Sequence, residues 1–379
     1  MKLKHLLWGM VGAALIGLAG FGGWLVTLPP APTDMARPPV PKAEAEALLQ
    51  ALRPPKRARP LVAVIGLNDA TETTDYLMTY GVLKRADVAD VVALATGPGP
   101  VKLYPALTVV PDATTAAFDA RHPEGADYVI VPQMSRADDP AVLGWIRAQA
   151  AKGATVIGVC AGARLVANAG LLDGKRATTH WYFLKRMLKR HPQIRYVPDR
   201  RMVADGRVMT TTGITASMPA MLTLIEAIAG REKAQAVAAD LGLRQWDARH
   251  ASGAFRFNRP FATTVLGNVL AVWNRETLGL ELRPEMDEVS LALVADAWSR
   301  TYRSRAVTFA AQPGAVPTRS GLRVVPDAVT GSRPGAALLT PLAERRPAQA
   351  LDGALAAIGR RYGEPTARIV AMQLEYPRG

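Results

Sequence analysis

The chain has 379 residues, of which 49% are hydrophobic and 21% charged, as expected of a protein with packed cores and not of a disordered chain. Its formal net charge is +14. The basic residues are scattered, without zinc-finger spacing, an RNA-recognition signature or a heptad run beside a basic region, so we expect no direct contact with nucleic acid. A solvated basic surface, or attraction to anionic lipid headgroups, accounts better for the charge.

The N-terminus has the pattern of a membrane anchor. Lys2 and Lys4 precede residues 6–28, a run of 23 uncharged and mostly apolar residues. As a helix this run would be about 34 Å long, enough to cross a hydrocarbon core of about 30 Å. A cleaved signal peptide is the alternative, but its apolar region is usually shorter. We expect residues 1–28 to be a single-pass transmembrane helix with the N-terminus inside and the globular part periplasmic or extracellular.

Beyond the anchor, the chain divides into a spacer and a globular region. Residues 29–59 are rich in proline and predict a stiff, extended spacer with a short helix near residues 44–52. Strands are then expected at 61–67, 90–96, 127–132 and 154–160, and helices at 140–153 and 161–172. This alternation predicts an α/β domain over residues 60–245, with a parallel sheet covered on both faces.

The C-terminal third contains an internal repeat of this domain. Residues 91–113 resemble residues 307–328 at a constant offset (328 − 113 = 215), and residues 220–243 resemble residues 353–376 at a smaller one (376 − 243 = 133). Chance similarity between two helical pairs is the alternative for the second match. The two offsets differ because the second copy lacks a stretch of the first (215 − 133 = 82).

The missing stretch is the one that would hold the counterparts of Cys160 and His180. Residues 246–379 are therefore predicted to be a truncated, degenerate second copy without a site. A sheet that lacks its central strand exposes apolar edges, so we expect this copy to pack on the first domain.

Cys160 is the only cysteine, and it lies between an apolar strand and a helix in the string ATVIGVCAGARLVANAGLL. Gly158, Ala161 and Gly162 are the small neighbours that a sharp strand-to-helix turn, or nucleophile elbow, requires. The following helix N-terminus would favour thiolate and lower the pKa of Cys160. The N–H of Ala161 would stabilise an oxyanion. A buried structural cysteine is the alternative.

His180 is the candidate partner of this thiol. A helix, an Asp–Gly turn and a short strand separate it from Cys160, and a path of that kind can return the imidazole to the thiol. A Cys–His pair would supply the base that activates the nucleophile. The alternative is a packed histidine at the edge of the surface.

The segment GVCAGARLVANAGLLDGKRATTHW resembles the DJ-1/PfpI superfamily, whose domain is of the class I glutamine amidotransferase-like kind. It most closely resembles the sensory half of AraC-type transcriptional regulators, and the resemblance covers residues 60–245. It implies a flavodoxin-like, doubly wound parallel sheet, with Cys160 at the elbow and His180 as its partner. It further implies an acidic residue near the thiol, for which Asp75 is the best match and Glu72 the alternative.

Several positions depart from the pattern of that family. Gln133 and Met134 stand where two glycines usually follow the third strand, Gly81 replaces a glutamate, and Arg164 replaces an apolar residue. Residues 240–379 show no helix-turn-helix pair, so the DNA-binding half of the regulators is absent from the pattern.

The function expected from these features is that of a cysteine-dependent hydrolase or lyase acting on a small electrophilic carbonyl or amide. Cys160 would attack carbon, His180 would move protons, and Asp75 would orient a group or bind a proton. The alternative is a ligand or redox sensor on the same fold, or a regulator that signals through a partner. We expect no metal site and no cofactor. The expected partners are a small-molecule ligand or substrate and the membrane, and the sequence leaves a homodimer open.

Overall fold

The structure is a computed structural model that describes residues 17, 19–32, 36–329, 337–339 and 346–377. Its helices are α1 (Lys42–Ala51), α2 (Thr73–Ala86), α3 (Thr115–Arg121), α4 (Pro140–Ala151), α5 (Ala163–Asn168), α6 (Trp181–Arg190), α7 (Ser217–Ala229), α8 (Arg231–Leu241), α9 (Arg259–Leu270), α10 (Glu288–Ser299), α11 (Pro347–Tyr362) and α12 (Glu364–Gln373). Its strands are β1 (Leu61–Gly66), β2 (Asp69–Glu72), β3 (Asp90–Ala95), β4 (Val101–Tyr104), β5 (Thr108–Val110), β6 (Ala113–Thr114), β7 (Tyr128–Val131), β8 (Thr155–Gly158), β9 (Arg176–Ala177), β10 (Arg195–Tyr196), β11 (Met202–Asp205), β12 (Val208–Thr211), β13 (Glu276–Glu281), β14 (Ser304–Ala310), β15 (Val316–Pro317), β16 (Arg323–Val325), β17 (Ala328–Val329) and β18 (Ala337–Leu338).

The central sheet has seven strands in the order β11-β12-β8-β7-β1-β3-β6. The strands are parallel except β11, which runs antiparallel to β12. Strand β1 is buried throughout. Because neighbouring side chains of a strand face opposite ways, Val62 and Val64 enter one apolar cluster and Ala63 and Ile65 another. The predicted α/β fold, with a mostly parallel sheet covered on both faces, is confirmed.

The second part of the chain packs on the first through a shared core. Strands β17, β14, β13 and β18 form a smaller parallel sheet, and β16 pairs antiparallel with β5 of the first part. Helix α10 lies against α2, so that a Cβ built at Gly81 would be 2.5 Å from Glu288 Oε1. Leu278 and Leu293 belong to the same apolar cluster as Val64 and Leu77. The expected packing of the C-terminal third on the first domain is therefore observed, while the domain boundaries remain predictions.

The N-terminal region is described only in part. Residues 19–27 are helical, but residues 6–16 of the predicted span lie outside the described residues. Among the residues that are described, no helix is both long and apolar enough to cross a bilayer. The spacer contains the expected helix as α1, but its end is not free. Leu52 is fully buried, and Arg57 pairs with the buried Asp127 at 2.6 Å, so the last part of the spacer packs on the domain.

The crossing of α2 and α10 can be tested by adding one methyl group at Gly81. Glu288 is fully buried and its Oε1 accepts from Ser320, so the carboxylate cannot move away from a new Cβ. Gly81→Ala should lower the free energy of unfolding by about 1–2 kcal/mol in urea titrations, because overpacking outweighs the gain in helix propensity. Gly144→Ala is the matched control, since its Cβ would meet nothing within 4 Å. It should be neutral or stabilising by up to about 1 kcal/mol. Equal effects of the two changes would contradict the tight crossing.

Candidate functional site

Cys160 occupies a strained turn between β8 and α5. Its φ is +57°, in the left-handed region that residues with a Cβ rarely adopt. Both of its backbone groups are held: the Cys160 N–H donates to Thr211 Oγ1 at 2.9 Å, and its carbonyl accepts from Thr179 Oγ1 at 3.0 Å. The surroundings thus hold the backbone in a conformation that costs about 1–3 kcal/mol.

The small residues around Cys160 are required by close packing. A Cβ at Gly162 would lie 1.9 Å from the carbonyl oxygen of Val131, and one at Gly158 would lie 2.9 Å from the backbone of Ala163. The backbone N–H of Ala161 interacts with the sulfur and favours thiolate, although more weakly than burial opposes it. The geometry at Gly158, Ala161 and Gly162 is that of a nucleophile elbow.

The thiol itself is not activated in this structure. Cys160 is buried, with 4% of its surface exposed. Burial raises the pKa of the thiol well above its usual value, and the negative charges of Asp75, Glu72 and Glu375 raise it further. The expectation of a lowered pKa is therefore wrong. The helix that follows the elbow has only six residues, so its dipole is small beside the cost of desolvating a thiolate.

His180 is not hydrogen-bonded to the thiol, which corrects the expected pairing. Its Nδ1 accepts from the Tyr182 N–H at 3.2 Å as the cap of α6, which leaves Nε2 to donate to the carbonyl of Gln373 at 3.0 Å. Burial lowers the pKa of His180, which keeps the imidazole neutral. Both ring nitrogens are engaged with backbone groups, so in this state the imidazole cannot take the proton of Cys160.

Asp75 lies in the first turn of α2. One carboxylate oxygen, Oδ2, accepts from the Gln133 N–H at 3.1 Å, while Oδ1 is buried without a hydrogen-bond partner. Burial raises the pKa of Asp75 to about 7, against the lowering effect of the Gln133 hydrogen bond. The hydrogen bond to Asp75 comes from the backbone N–H of Gln133, so it does not depend on the glutamine side chain. The free oxygen makes Asp75 the group in the site best suited to exchange a proton.

Glu72, the alternative acid, is tied into the structure more firmly. Its Oε2 accepts from the Asp75 N–H at 2.5 Å as the cap of α2, and its Oε1 accepts from Arg300 at 2.7 Å. Burial, and then the charge of Asp75, raise the pKa of Glu72 well above its usual value. Glu72 thus anchors the helix, and Asp75 is left as the freer of the two acids.

Sequence reasoning missed the cation of this site, because it comes from the second part of the chain. Arg300 follows α10 and donates from Nε to Asp296 Oδ1 at 2.6 Å in addition to its bond to Glu72. Asp296 in turn accepts from Thr74 Oγ1 at 3.3 Å. The one signal in the sequence is the i, i+4 spacing of Asp296 and Arg300, which indicates a helical ion pair but not its third partner.

The C-terminal end also reaches the site. The carboxylate of Glu375 accepts from the backbone N–H groups of Trp181 at 2.6 Å and Gly213 at 2.7 Å, and lies 3.5 Å from His250 Nε2. An open groove of about 940 Å³ lies on the outer side of Glu375 and is lined by Trp181, His250 and Phe255, among others. Cys160 is not among the residues that line this groove, although the charge of Glu375 acts on the thiol.

Two further departures from the family pattern, at Gly81 and Arg164, have structural explanations. A glutamate at position 81 would collide with Glu288, and the guanidinium of Arg164 stacks on the ring of Phe183 at 4.5 Å. Over the described part of the chain, no group of three His, Cys, Asp or Glu residues is placed to hold a metal ion. The absence of a cofactor remains a prediction.

A parallel sheet with a strained cysteine elbow after a central strand defines the chain as an α/β protein of the nucleophile-elbow class. Residues 62–227 match the DJ-1/PfpI family, so this chain contains a DJ-1/PfpI domain. The flavodoxin-like arrangement expected of that family is consistent with the sheet described above.

Curated relatives of this domain include an enzyme and a regulator. The chain is 41% identical over 101 residues to isonitrile hydratase of Pseudomonas putida, covering 26% of this chain and 42% of that protein. It is 40% identical over 90 residues to the HTH-type transcriptional regulator CdhR of Pseudomonas aeruginosa, covering 24% and 26%. The chain thus spans less than half the length of these two relatives. The solved structure of Drosophila melanogaster DJ-1beta matches with 25% identity and a TM-score of 0.45, covering 49% of this chain and all of that one.

The electrostatics of the site predict the pH dependence of thiol alkylation in the full chain. Because burial and three carboxylates oppose the thiolate, reaction with iodoacetamide should have its midpoint above pH 9. Asp75→Asn removes one negative charge and should lower that midpoint by about one unit. Asp90→Asn, at an exposed ion pair with Arg59, is the control and should leave the midpoint unchanged. A midpoint near pH 7 in the unmodified chain would contradict the buried state.

Proposed function

We propose that this chain is a cysteine-dependent enzyme that hydrolyses or hydrates a small, uncharged, electrophilic carbon compound. The carrying observation is a strained elbow cysteine whose pKa is raised by the charge of Asp75, an acid whose own pKa is raised to about 7 and whose Oδ1 is buried without a hydrogen-bond partner. A general acid or base works best when its pKa is close to the working pH. Asp75 meets that condition, whereas the hydrogen bonds of His180 exclude it from the role.

The proposed reaction begins as Cys160 Sγ bonds to the substrate carbon. The thiol proton passes to the Asp75 carboxylate, which removes the need to form a free thiolate in a buried, negatively charged site. With an amide, attack gives a tetrahedral adduct. Asp75 then passes the proton to the leaving nitrogen as the C–N bond breaks and the C=O bond re-forms, which expels the amine and leaves a thioester. Water then breaks the carbon–sulfur bond, which releases the product and restores the thiol.

The environment restricts the class of substrate. The carboxyls of Glu72, Asp75 and Glu375 oppose further negative charge at the thiol. A neutral carbonyl, amide or isonitrile suits this environment better than an anionic compound. The similarity to isonitrile hydratase supports including isonitriles, to which addition of the thiol would give a thioimidate that water converts to a formamide.

A sensor without turnover is the second candidate function. It is favoured by the raised pKa of Cys160 and by the hydrogen bonds that tie Gln373 and Glu375 to His180 and Trp181. The similarity to the regulator CdhR points in the same direction. In that case a ligand would bind near the thiol and act by moving the C-terminal residues.

We also propose that residues 6–28 anchor the chain in a membrane, with the globular part periplasmic or extracellular. The support is the apolar sequence after Lys2 and Lys4, together with the helical state of residues 19–27. Arg259 donates to the carbonyls of Leu25 and Val26, which would hold the domain close to the end of the anchor.

Turnover separates the two candidate functions. The full chain should convert at least one member of a panel of dicarbonyls, amides and isonitriles with repeated turnover, monitored by product formation. Cys160→Ala should abolish the activity. Asp75→Asn should lower kcat by about 100-fold or more, the usual contribution of a general acid or base. Asp90→Asn should retain activity within about twofold. Saturable ligand binding without product, unaffected by Cys160→Ala, would support the sensor instead.

The anchor is tested by fractionation and by a reporter. The full chain should stay in the membrane pellet after alkaline carbonate washing, and a reporter active only outside the cytoplasm should work when fused after Gly379. A variant with Leu7, Leu15 and Ile16 replaced by Asp should lose membrane retention, since each charge opposes insertion. An active cytoplasmic reporter at the same position would contradict the orientation.

A further inference from the structure

We infer that the described residues between 276 and 377 (276–329, 337–339 and 346–377) occupy the place of a second subunit within the same chain. We further infer that Arg300 acts from this internal partner as a positioning residue for the acids that influence Cys160. The inference goes beyond the proposed function. It concerns the arrangement of the thiol and its acids, and it can be tested without any assay of turnover.

The elements of the second part repeat those of the first at one spacing. Strand β13 begins and ends 215 residues after β1 (276 − 61 = 215), and the same spacing relates β16 to β5 and β17 to β6. Helix α10 follows α2 with the same offset at its start (288 − 73 = 215). The later helices repeat at the smaller offset, and the glycine between them keeps its backbone: φ is +87° at both Gly230 and Gly363.

The pairing of β5 with β16 shows how the two copies are related. Val109 pairs with Val324, which is its own counterpart in the repeat (324 − 109 = 215). On either side, Thr108 pairs with Val325 and Val110 pairs with Arg323, so each flanking residue meets the counterpart of the other. A segment that pairs antiparallel with its own copy in this reciprocal way lies across a local two-fold axis.

The ion pairs between the regions of α2 and α10 are reciprocal in the same way. Arg300 pairs with Glu72, and Arg85, the counterpart of Arg300 (300 − 85 = 215), pairs with Asp287, the counterpart of Glu72 (287 − 72 = 215). Two reciprocal ion pairs of this kind are the signature of an isologous interface, here formed within one chain.

Of the two symmetric positions, only the one in the first copy has the acid and the thiol. Asp287 caps α10 by accepting from the Ser290 N–H at 2.8 Å, just as Glu72 caps α2 by accepting from the Asp75 N–H at 2.5 Å. Ser290 therefore stands where Asp75 stands in the first copy (290 − 75 = 215). The stretch that would carry the counterpart of Cys160 is missing from the second copy. The scaffold is duplicated, whereas the thiol and its acid are present once.

Arg300 is the contribution of the internal partner to this single site. It holds Glu72, and Glu72 in turn fixes the N–H of Asp75, so that the cation sets the position and the charge of both acids. Arg85 makes the equivalent pair at the end of the interface that has no thiol. The fold thus provides a matched control. Each arginine pairs with the capping acid of the other copy and with one further carboxylate, Asp296 for Arg300 and Asp240 for Arg85, but only Arg300 holds an acid that acts on Cys160.

The test compares Arg300→Met with Arg85→Met in the full chain. Arg300→Met should raise the midpoint of iodoacetamide alkylation of Cys160 by about one pH unit. The reason is that the positive charge that offsets Glu72 and Asp75 is lost, so their negative charges oppose the thiolate more strongly. Arg85→Met should leave the midpoint within a few tenths of a unit, at a comparable loss of thermal stability. Arg300→Lys should restore most of the unmodified profile, and it also serves if the methionine variant fails to fold. Equal shifts in both methionine variants, or none in either, would overturn the positioning role.

A disulfide between β5 and β16 tests whether the two copies pair within one chain. In a Cys160→Ala background, Val109→Cys with Val324→Cys should form a disulfide that leaves the chain at monomer mass on a non-reducing gel, because paired residues of neighbouring strands have Cβ atoms about 4.5–5.5 Å apart. Either cysteine alone should form none. A disulfide-linked dimer from the double variant would show that the second part packs on another chain, and failure to form any disulfide would refute the pairing.

Discussion

The buried guanidinium of Arg300 connects the two parts of the chain to the chemistry of the site. Its side chain is only 13% exposed, and removing such a cation from water costs several kcal/mol unless charged acceptors replace the lost hydration. Glu72 and Asp296 provide them at 2.7 and 2.6 Å. Since Glu72 belongs to the first part and Asp296 to the second, the cation holds the crossing of α2 and α10 in one arrangement. That arrangement fixes the N-terminal turn of α2, and with it Asp75.

Burial also determines the reactivity of the thiol of Cys160 at the elbow. A nucleophile elbow is usually associated with an activated thiol, but here burial and the nearby carboxyls outweigh the N–H of Ala161. Near neutral pH, a neutral thiol that is influenced by an acid with a pKa raised to about 7 reacts most readily if its proton leaves as the bond to carbon forms. The electrostatics of the site therefore favour proton transfer coupled to attack over a preformed thiolate.

The sequence correctly predicts elements that depend on neighbouring residues, and it misses contacts between residues that are far apart in the chain. The strand Leu61–Gly66 and the helix Pro140–Ala151 were expected from apolar runs and helical spacing, because burial imposes those patterns directly. The elbow followed from Cys160 and its small neighbours. The orientation of His180 could not follow, because it depends on the carbonyl of Gln373, 193 residues away. Arg300 could not be placed for the same reason, since no local pattern reports its contact with Glu72.

The inference that the second part of the chain acts as an internal partner gives these long-range contacts a common origin. In a symmetric dimer, one surface must serve both as scaffold for its own site and as partner for the other, so each residue is constrained twice. Joining the two copies in one chain removes that double constraint. On this inference, the second copy can lose its elbow and carry Ser290 at the counterpart of Asp75, provided that it keeps the cap at Asp287, the strand at Val324 and the cation at Arg300. The residues that it keeps are those that pack against the first copy, and this selective retention is what an internal partner requires.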